Sequence, residues 1–260
     1  MTPQTALQTM REKTPLVHCI TNYVAMNIAA NVTLAAGASP AMLHAPEEVA
    51  DFTPLAGALT INIGTLSAPW VDSMLIAAQT AQAHSVPWVL DPVAHFATPY
   101  RAKVAQDLLA QIPDIVRGNA SEIIALAGGT GAGKGADSGD SVTDAQASAT
   151  ALARAQGCVV AVTGPVDFVT DGTRQVTITG GADIMPKVTA LGCSLTALMG
   201  AYAAVAPAFD ATLAALVHFA EAGDRAARVS DGPGSFSVHF LDQLHALQPN
   251  DLDQGRVTWL

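Results

Sequence analysis

The chain has 260 residues, 50% of them hydrophobic and 13% charged, which suits one well-buried domain spanning 1–260. With 12 Lys and Arg against 22 Asp and Glu, the net charge is −10, and no run of basic residues offers a nucleic-acid surface. Three cysteines, Cys19, Cys158 and Cys193, make no disulfide framework, so reduced thiols and a cytoplasmic location are expected.

Short apolar runs alternate with longer helical patterns, the signature of βα units and a mostly parallel sheet. The start shows no basic stretch followed by an apolar core, so no signal peptide is expected. The first predicted strand is 16–20, ending in Thr21-Asn22, and a helix follows at 23–34. His18 and Cys19 are adjacent in that strand and point to opposite faces, so they cannot pair; Cys19 reads as core. The next strand, 59–63, ends in Gly64-Thr65 before a helix at 70–84. Strand 86–90 tolerates Pro87 near its start and ends in Asp91-Pro92, before a helix at 100–111. Strand 115–117 ends in Gly118-Asn119, before a helix at 120–126.

Residues 128–139 form a Gly/Ala/Ser-rich stretch that nearly spells a phosphate-binding P-loop. Gly135 stands where the motif needs a hydroxyl residue, and a helix rather than a strand precedes it, so a surface loop is expected. A helix at 143–155 leads to strand 159–163, which ends in Gly164-Pro165. Asp171-Gly172 between two β-type runs, 167–170 and 174–179, reads as a hairpin. The final third, 193–247, is nearly all helical, and 251–260 carries no pattern. The longest apolar stretch, 195–209, contains Thr196 and Pro207 and falls short of the roughly 18 residues that a membrane span requires.

In open α/β sheets, ligands bind at the carboxyl ends of the strands, so the five strand-end turns are where function is expected. Asp91 ends one strand, and Arg117, Asn119 and Glu122 follow the next. Two carboxylates and an arginine there suit Mg²⁺, which wants few protein ligands, and phosphate, which an arginine clamps bidentately. Each also has a structural explanation: Asp91 as a turn-former before Pro92, and Glu122 as a first-turn helix acid. Gly192-Cys193 marks a loop-to-helix junction, where free N–H groups attract anions and a thiol tends to a lowered pKa. A small buried cysteine is the plainer alternative. No CxxC or HxxxH pair suggests zinc.

The ordered set Pro15-Leu16-Val17-His18-Cys19-Ile20-Thr21-Asn22, Gly37-Ala38-Ser39-Pro40-Ala41-Met42, Ile61-Asn62-Ile63-Gly64-Thr65-Leu66, Leu90-Asp91-Pro92-Val93-Ala94, Arg117-Gly118-Asn119-Ala120-Ser121-Glu122-Ile123, Val162-Thr163-Gly164, Gly192-Cys193 and Gly232-Pro233-Gly234-Ser235-Phe236 resembles the hydroxyethylthiazole kinases of the ribokinase-like superfamily. The resemblance runs from about Pro15 to Leu247 and implies a three-layer α/β fold with helices flanking the sheet. It implies ATP and Mg²⁺, a thiazole alcohol as substrate in thiamin salvage, and a homotrimer with sites near subunit interfaces. It assigns Cys193 the position where related enzymes place a catalytic Asp. It brings Met42, Asn22, Gly64 and Ala190 to the substrate, Arg117, Thr163 and Gly192 to the nucleotide, and Asp91 and Glu122 to the metal. Two departures are Ala190 and Phe96, where the family usually or often has Gly. A kinase for another small alcohol such as hydroxymethylpyrimidine, a Cys-dependent hydrolase or transferase, and a ligand-binding protein without catalysis are the competing readings.

Overall fold

The computed structural model describes residues 1–129, 139–252 and 254–260. Most of the loop expected at 128–139 therefore lies outside the described residues.

Among the described residues, the strands are β1 Leu16–Ile20, β2 Ser39–Ala41, β3 Ala58–Asn62, β4 Trp88–Asp91, β5 Ile115–Asn119, β6 Val159–Thr163, β7 Val166–Thr170, β8 Gln175–Thr179 and β9 Val257–Trp259. They form one sheet in the order β2-β1-β3-β4-β5-β6-β7-β8-β9. The pairings from β2 to β6 are parallel, and those from β6 to β9 are antiparallel. The helices are α1 Pro3–Lys13, α2 Met26–Ala36, α3 Val49–Phe52, α4 Ala68–His84, α5 Pro99–Leu109, α6 Ala120–Leu126, α7 Val142–Gln156, α8 Leu191–Ala203, α9 Ala208–Ala227 and α10 Pro233–Ala246. No helix among the described residues is long and apolar enough to cross a membrane.

Side chains alternate across a strand, so each strand feeds two cores. Val17, Cys19, Val89, Ile115, Val159 and Ala161 join one core with residues of α1, α2, α8, α9 and α10. Ile20, Ile61, Leu90, Val116, Val160 and Val162 join the other with residues of α4 to α7. The result is the expected three layers. Each fully buried Val, Leu or Ile contributes about 1.5–3 kcal/mol, which makes both faces indispensable.

The expected boundaries hold for β1, β6 and α6 and shift elsewhere. β4 starts at Trp88, after Pro87, because proline cannot donate to the ladder, and it runs through Asp91. β5 extends to Asn119, placing Arg117 inside the strand. α8 starts at Leu191, so Gly192 and Cys193 occupy its first turn. The unpatterned terminus supplies β9, a three-residue strand that pairs with β8. β2 is equally short, and α1 precedes the first expected strand. Its residue Arg11 ties the terminal elements together, donating to the carbonyls of Ala36, Leu244, His245 and Leu247.

α8 is apolar on nearly all sides and buried along most of its length. It lies close on the sheet at Gly200, where an added Cβ would stand 2.3 Å from Thr60 Cγ2 and 3.1 Å from Val17 Cγ1. Gly200→Ala gains about 1 kcal/mol of helix propensity, but overpacking costs about 1–3 kcal/mol, so a net loss is expected. Urea unfolding checks this: an unchanged or raised midpoint would contradict the close approach.

Candidate active site

Strand parity assembles the site. Asn62 ends β3, Asp91 ends β4, and Thr163 ends β6, with Arg117 inside β5. Val89, Ile115 and Ala161, each two residues before one of these polar groups, belong to the core beneath α8. Asp91, Arg117 and Thr163 therefore stand on that same face, and Asn62 follows two residues after Thr60. The register sets Asn62 beside Asp91 and Arg117 beside Ala161.

Hydrogen bonds join this row. Asp91 is fully buried. Its Oδ2 accepts from Asn62 Nδ2 at 2.7 Å, Thr196 Oγ1 at 2.7 Å and Arg117 Nη1 at 3.4 Å. Its Oδ1 has no partner. Arg117 Nη2 donates to Thr163 Oγ1 at 2.7 Å. In the other direction, Asn22 Nδ2 donates to Asn62 Oδ1 at 2.8 Å and to Cys193 Sγ at 3.5 Å. Asn22 Oδ1 accepts from the Ala25 N–H ahead of α2, which fixes the side chain. One continuous chain of contacts thus runs from Cys193 to Thr163.

α8 supplies the roof. No side chain caps its start, so the first-turn N–H groups and the positive end of its dipole face the row. Ala190 precedes the helix at φ 58°, a left-handed conformation that costs a non-glycine residue about 1–2 kcal/mol. Gly192 is glycine for space: a Cβ there would stand 2.9 Å from Arg117 Nη2. Gly64 has a similar reason, since a Cβ would stand 2.6 Å from Asn22 Nδ2. The Gly64 N–H donates to Asn62 Oδ1 at 2.9 Å.

Burial raises the Asp91 pKa against the pull of Arg117 and its hydrogen-bond donors. Burial, then Asp91, pushes Glu122 up to about 7. Burial alone would lower Arg117, but Asp91, Glu122, Cys193 and Asp167 together hold it above its ordinary value. The lowered thiol expected at the helix start is corrected here. Burial and the adjacent Asp91 push Cys193 up to about 11, outweighing Arg117 and the asparagine donors.

Both oxygens of Glu122 are engaged by backbone N–H groups. Its Oε1 accepts from the Ala94 N–H and its Oε2 from the Asn119 N–H, both at 2.8 Å. It closes a capping box with Asn119 and fixes the loop after β4, where Ala94 is left-handed at φ 48°. Phe96 lies in the short 3₁₀ turn of that loop. Met42 follows β2 and packs against the core beneath α8, on the side away from Arg117. A cavity of about 440 Å³ opens beside Thr163, lined also by Gly164, Pro165, Val166, Val142 and Ala120.

The sequence patterns give Asn62, Thr196 and Arg101 no role. Asn62 sits in a quoted motif, and Thr196 is the polar residue interrupting an apolar helix; both were visible without a role. Arg101 braces the loops by donating to the carbonyls of Ile63, Gly64 and Val93, and nothing in an exposed-looking helix signals that.

The profile of the hydroxyethylthiazole kinase family matches residues 7–250. The chain belongs to the hydroxyethylthiazole kinase family. It is 67% identical over 254 residues to hydroxyethylthiazole kinase of Roseobacter denitrificans, covering 98% of this chain and 99% of the relative. Identity to the Rhizobium etli CFN 42 enzyme of the same name is 63%, over 97% of this chain and 99% of the relative. The solved hydroxyethylthiazole kinase of Pyrococcus horikoshii OT3 superposes with a TM-score of 0.91 at 39% identity, covering 99% and 98% of the two chains. A Bacillus subtilis pyridoxal kinase superposes at 0.62 with 18% identity, over 80% of this chain and 91% of its own, a likeness of fold.

Within this family member the thiols should show their burial. Cys19 and Cys158 are buried and raised to about 11 and about 12. Alkylation of the native protein by iodoacetamide should fall on Cys193, and its rate should keep climbing to about pH 10 as the thiolate fraction grows. A plateau near neutral pH, read by mass spectrometry, would show a lowered thiol instead.

Proposed function

We propose that this chain transfers the γ-phosphate of ATP to the primary alcohol of 4-methyl-5-(2-hydroxyethyl)thiazole, in thiamin salvage. The observation that carries the reading is the hydrogen-bonded row under the start of α8, running from Cys193 and Asn22 through Asn62 and Asp91 to Arg117 and Thr163. Family membership supports the same reading. We further assign the protein to the cytoplasm, as a homotrimer with its sites near subunit interfaces.

The Asn22 and Cys193 end, with Met42, Gly64 and Ala190, receives the alcohol. The Arg117 and Thr163 end receives the triphosphate, and the adjoining cavity has room for the nucleoside. Phosphoryl transfer depends mostly on positioning and charge stabilisation. Arg117 and the N–H groups around Gly192 hold the phosphoryl oxygens. The alcohol oxygen bonds to the γ-phosphorus as the bond to the bridging oxygen breaks and ADP leaves. The alcohol proton passes to the Cys193 sulfur in its thiolate form, which becomes the thiol.

The donor set fits Mg²⁺. Asp91 Oδ1 is a buried oxygen without a partner, and Glu122, held on two N–H groups, would act through water. Bound there, the ion would offset phosphate charge.

ADP release with the thiazole alcohol, compared with hydroxymethylpyrimidine as acceptor, tests the reading; preference for the pyrimidine, or ATP-independent turnover, sinks it. Arg117→Ala should raise the KM for ATP more than tenfold, since a charge-assisted hydrogen bond contributes about 1.5–3 kcal/mol, and should leave the thiazole KM nearly unchanged.

Burial pushes the Cys193 thiol up to about 11, so its thiolate is a capable base but scarcely forms at neutral pH. The base form appears as pH rises, so kcat should increase with pH above neutrality. Cys193→Asp should keep or raise neutral activity and flatten that slope, because a carboxylate is already ionised. Cys193→Ala should slow turnover roughly 10²–10⁴-fold with binding kept. An unchanged kcat in the alanine variant removes the thiol from the chemistry.

A further inference from the structure

Asp167 stands at the nucleotide end of the row and has no part in the assignments above. β6 and β7 are antiparallel, with Val162 opposite Phe168. Continued one step toward the turn, that register sets Thr163 opposite Asp167, and directly opposed residues share a face of the sheet. Asp167 Oδ1 accepts from the Gly164 N–H at 3.0 Å, closing the turn between the two strands. Thr163, the residue before that turn, accepts from Arg117 Nη2 at 2.7 Å and donates to the Gly118 carbonyl at 3.4 Å. Thr163, Gly164, Pro165 and Val166 line the cavity of about 440 Å³.

A carboxylate is an expensive choice here. Asp167 is half-buried, and burial pushes it up to about 7 even with Gly164 and Arg117 favouring its charge. β-branched residues suit a strand better than Asp, so local propensity does not account for it. Among the described residues its hydrogen bond is with the turn.

We propose that Asp167 is a positioning residue for nucleotide binding: it staples the Gly164 turn, which holds the Thr163 hydroxyl on Arg117 and shapes the wall of the cavity. The inference rests on the proposed kinase reading, and it names the group that presets the ATP end. Asp167 touches neither reacting atom; it acts through Gly164 and Thr163.

Two variants test it in the full-length protein with ATP and Mg²⁺. Asp167→Val removes the acceptor while favouring the strand. Asp167→Asn keeps an oxygen for the Gly164 N–H and removes the charge. The valine variant should raise the KM for ATP about tenfold, with kcat and the thiazole KM within about threefold of the parent. It should also lose most of the thermal shift that ATP gives the parent protein. The asparagine variant should restore both to within about threefold. Normal ATP binding in the valine variant overturns the proposal. So does an asparagine variant as impaired as valine, because the charge and not the turn would then be what matters. A uniform fall in kcat for both substrates, without a change in KM for ATP, overturns it as well. If the parent binds ATP but releases no ADP with the thiazole alcohol, the kinase reading fails, while the ATP-binding comparison still decides the role of Asp167.

Discussion

The site is organised around one buried carboxylate. Asp91 has no contact with solvent, and leaving such a charge unpaired costs about 3–5 kcal/mol. Its donors come from three separate elements: Asn62 on β3, Arg117 on β5 and Thr196 on α8. Satisfying Asp91 therefore requires α8 to sit over the sheet at one height and requires Arg117 to turn inward. The same contacts that remove the electrostatic penalty set the distances between the other functional groups. The carboxylate's second oxygen remains free, so the pairing is complete enough for folding and incomplete enough for a ligand.

The close approach of α8 makes this possible. Gly200 lets the helix meet Thr60, and Gly192 gives room for the Arg117 guanidinium beneath the first turn. Side chains at either position would lift the helix or displace the arginine, and interiors packed like crystals do not absorb such shifts freely. The uncapped start of α8 and the left-handed residues Ala190 and Ala94 are local liabilities that flank the row. The Ala94 conformation is held by Glu122, whose two oxygens are both engaged by backbone N–H groups. Stored backbone strain at a site persists when its surroundings over-determine it, and the buried network does so here.

Electrostatics divides the row into two ends. Arg117 is drawn toward several carboxylates and stays charged, which suits a phosphate-facing group. Cys193, at the other end, is kept protonated by burial and by Asp91. A helix N-terminus alone would have suggested the opposite. The dipole effect is worth about 0.3–1 kcal/mol at ordinary sites, and desolvation together with the neighbouring Asp91 charge outweighs it here.

The alternation of apolar runs with helical patterns was enough to read the layered α/β architecture, because hydrophobic periodicity is a local property. It located β1, β6 and α6 to the residue, and it placed Asp91, Arg117 and Thr163 at strand ends. The strand-end turns and the loop-to-helix junction also singled out Asn22, Gly64, Gly192 and Cys193, to which the family motifs gave roles, and the folded chain gathers them around the same row. Short edge strands stayed hidden: β2 and β9 have three residues each, too few for any period to show, and they exist only because a neighbouring strand offers its ladder. The roles of Asn62, Thr196 and Arg101 were hidden for a related reason, since a hydrogen bond to a residue distant in sequence leaves no local pattern. The sign of the Cys193 shift also came from packing. Residue type and spacing in the chain name the groups that can do chemistry; burial, which arises only when separate segments close over one another, sets their charge and their partners.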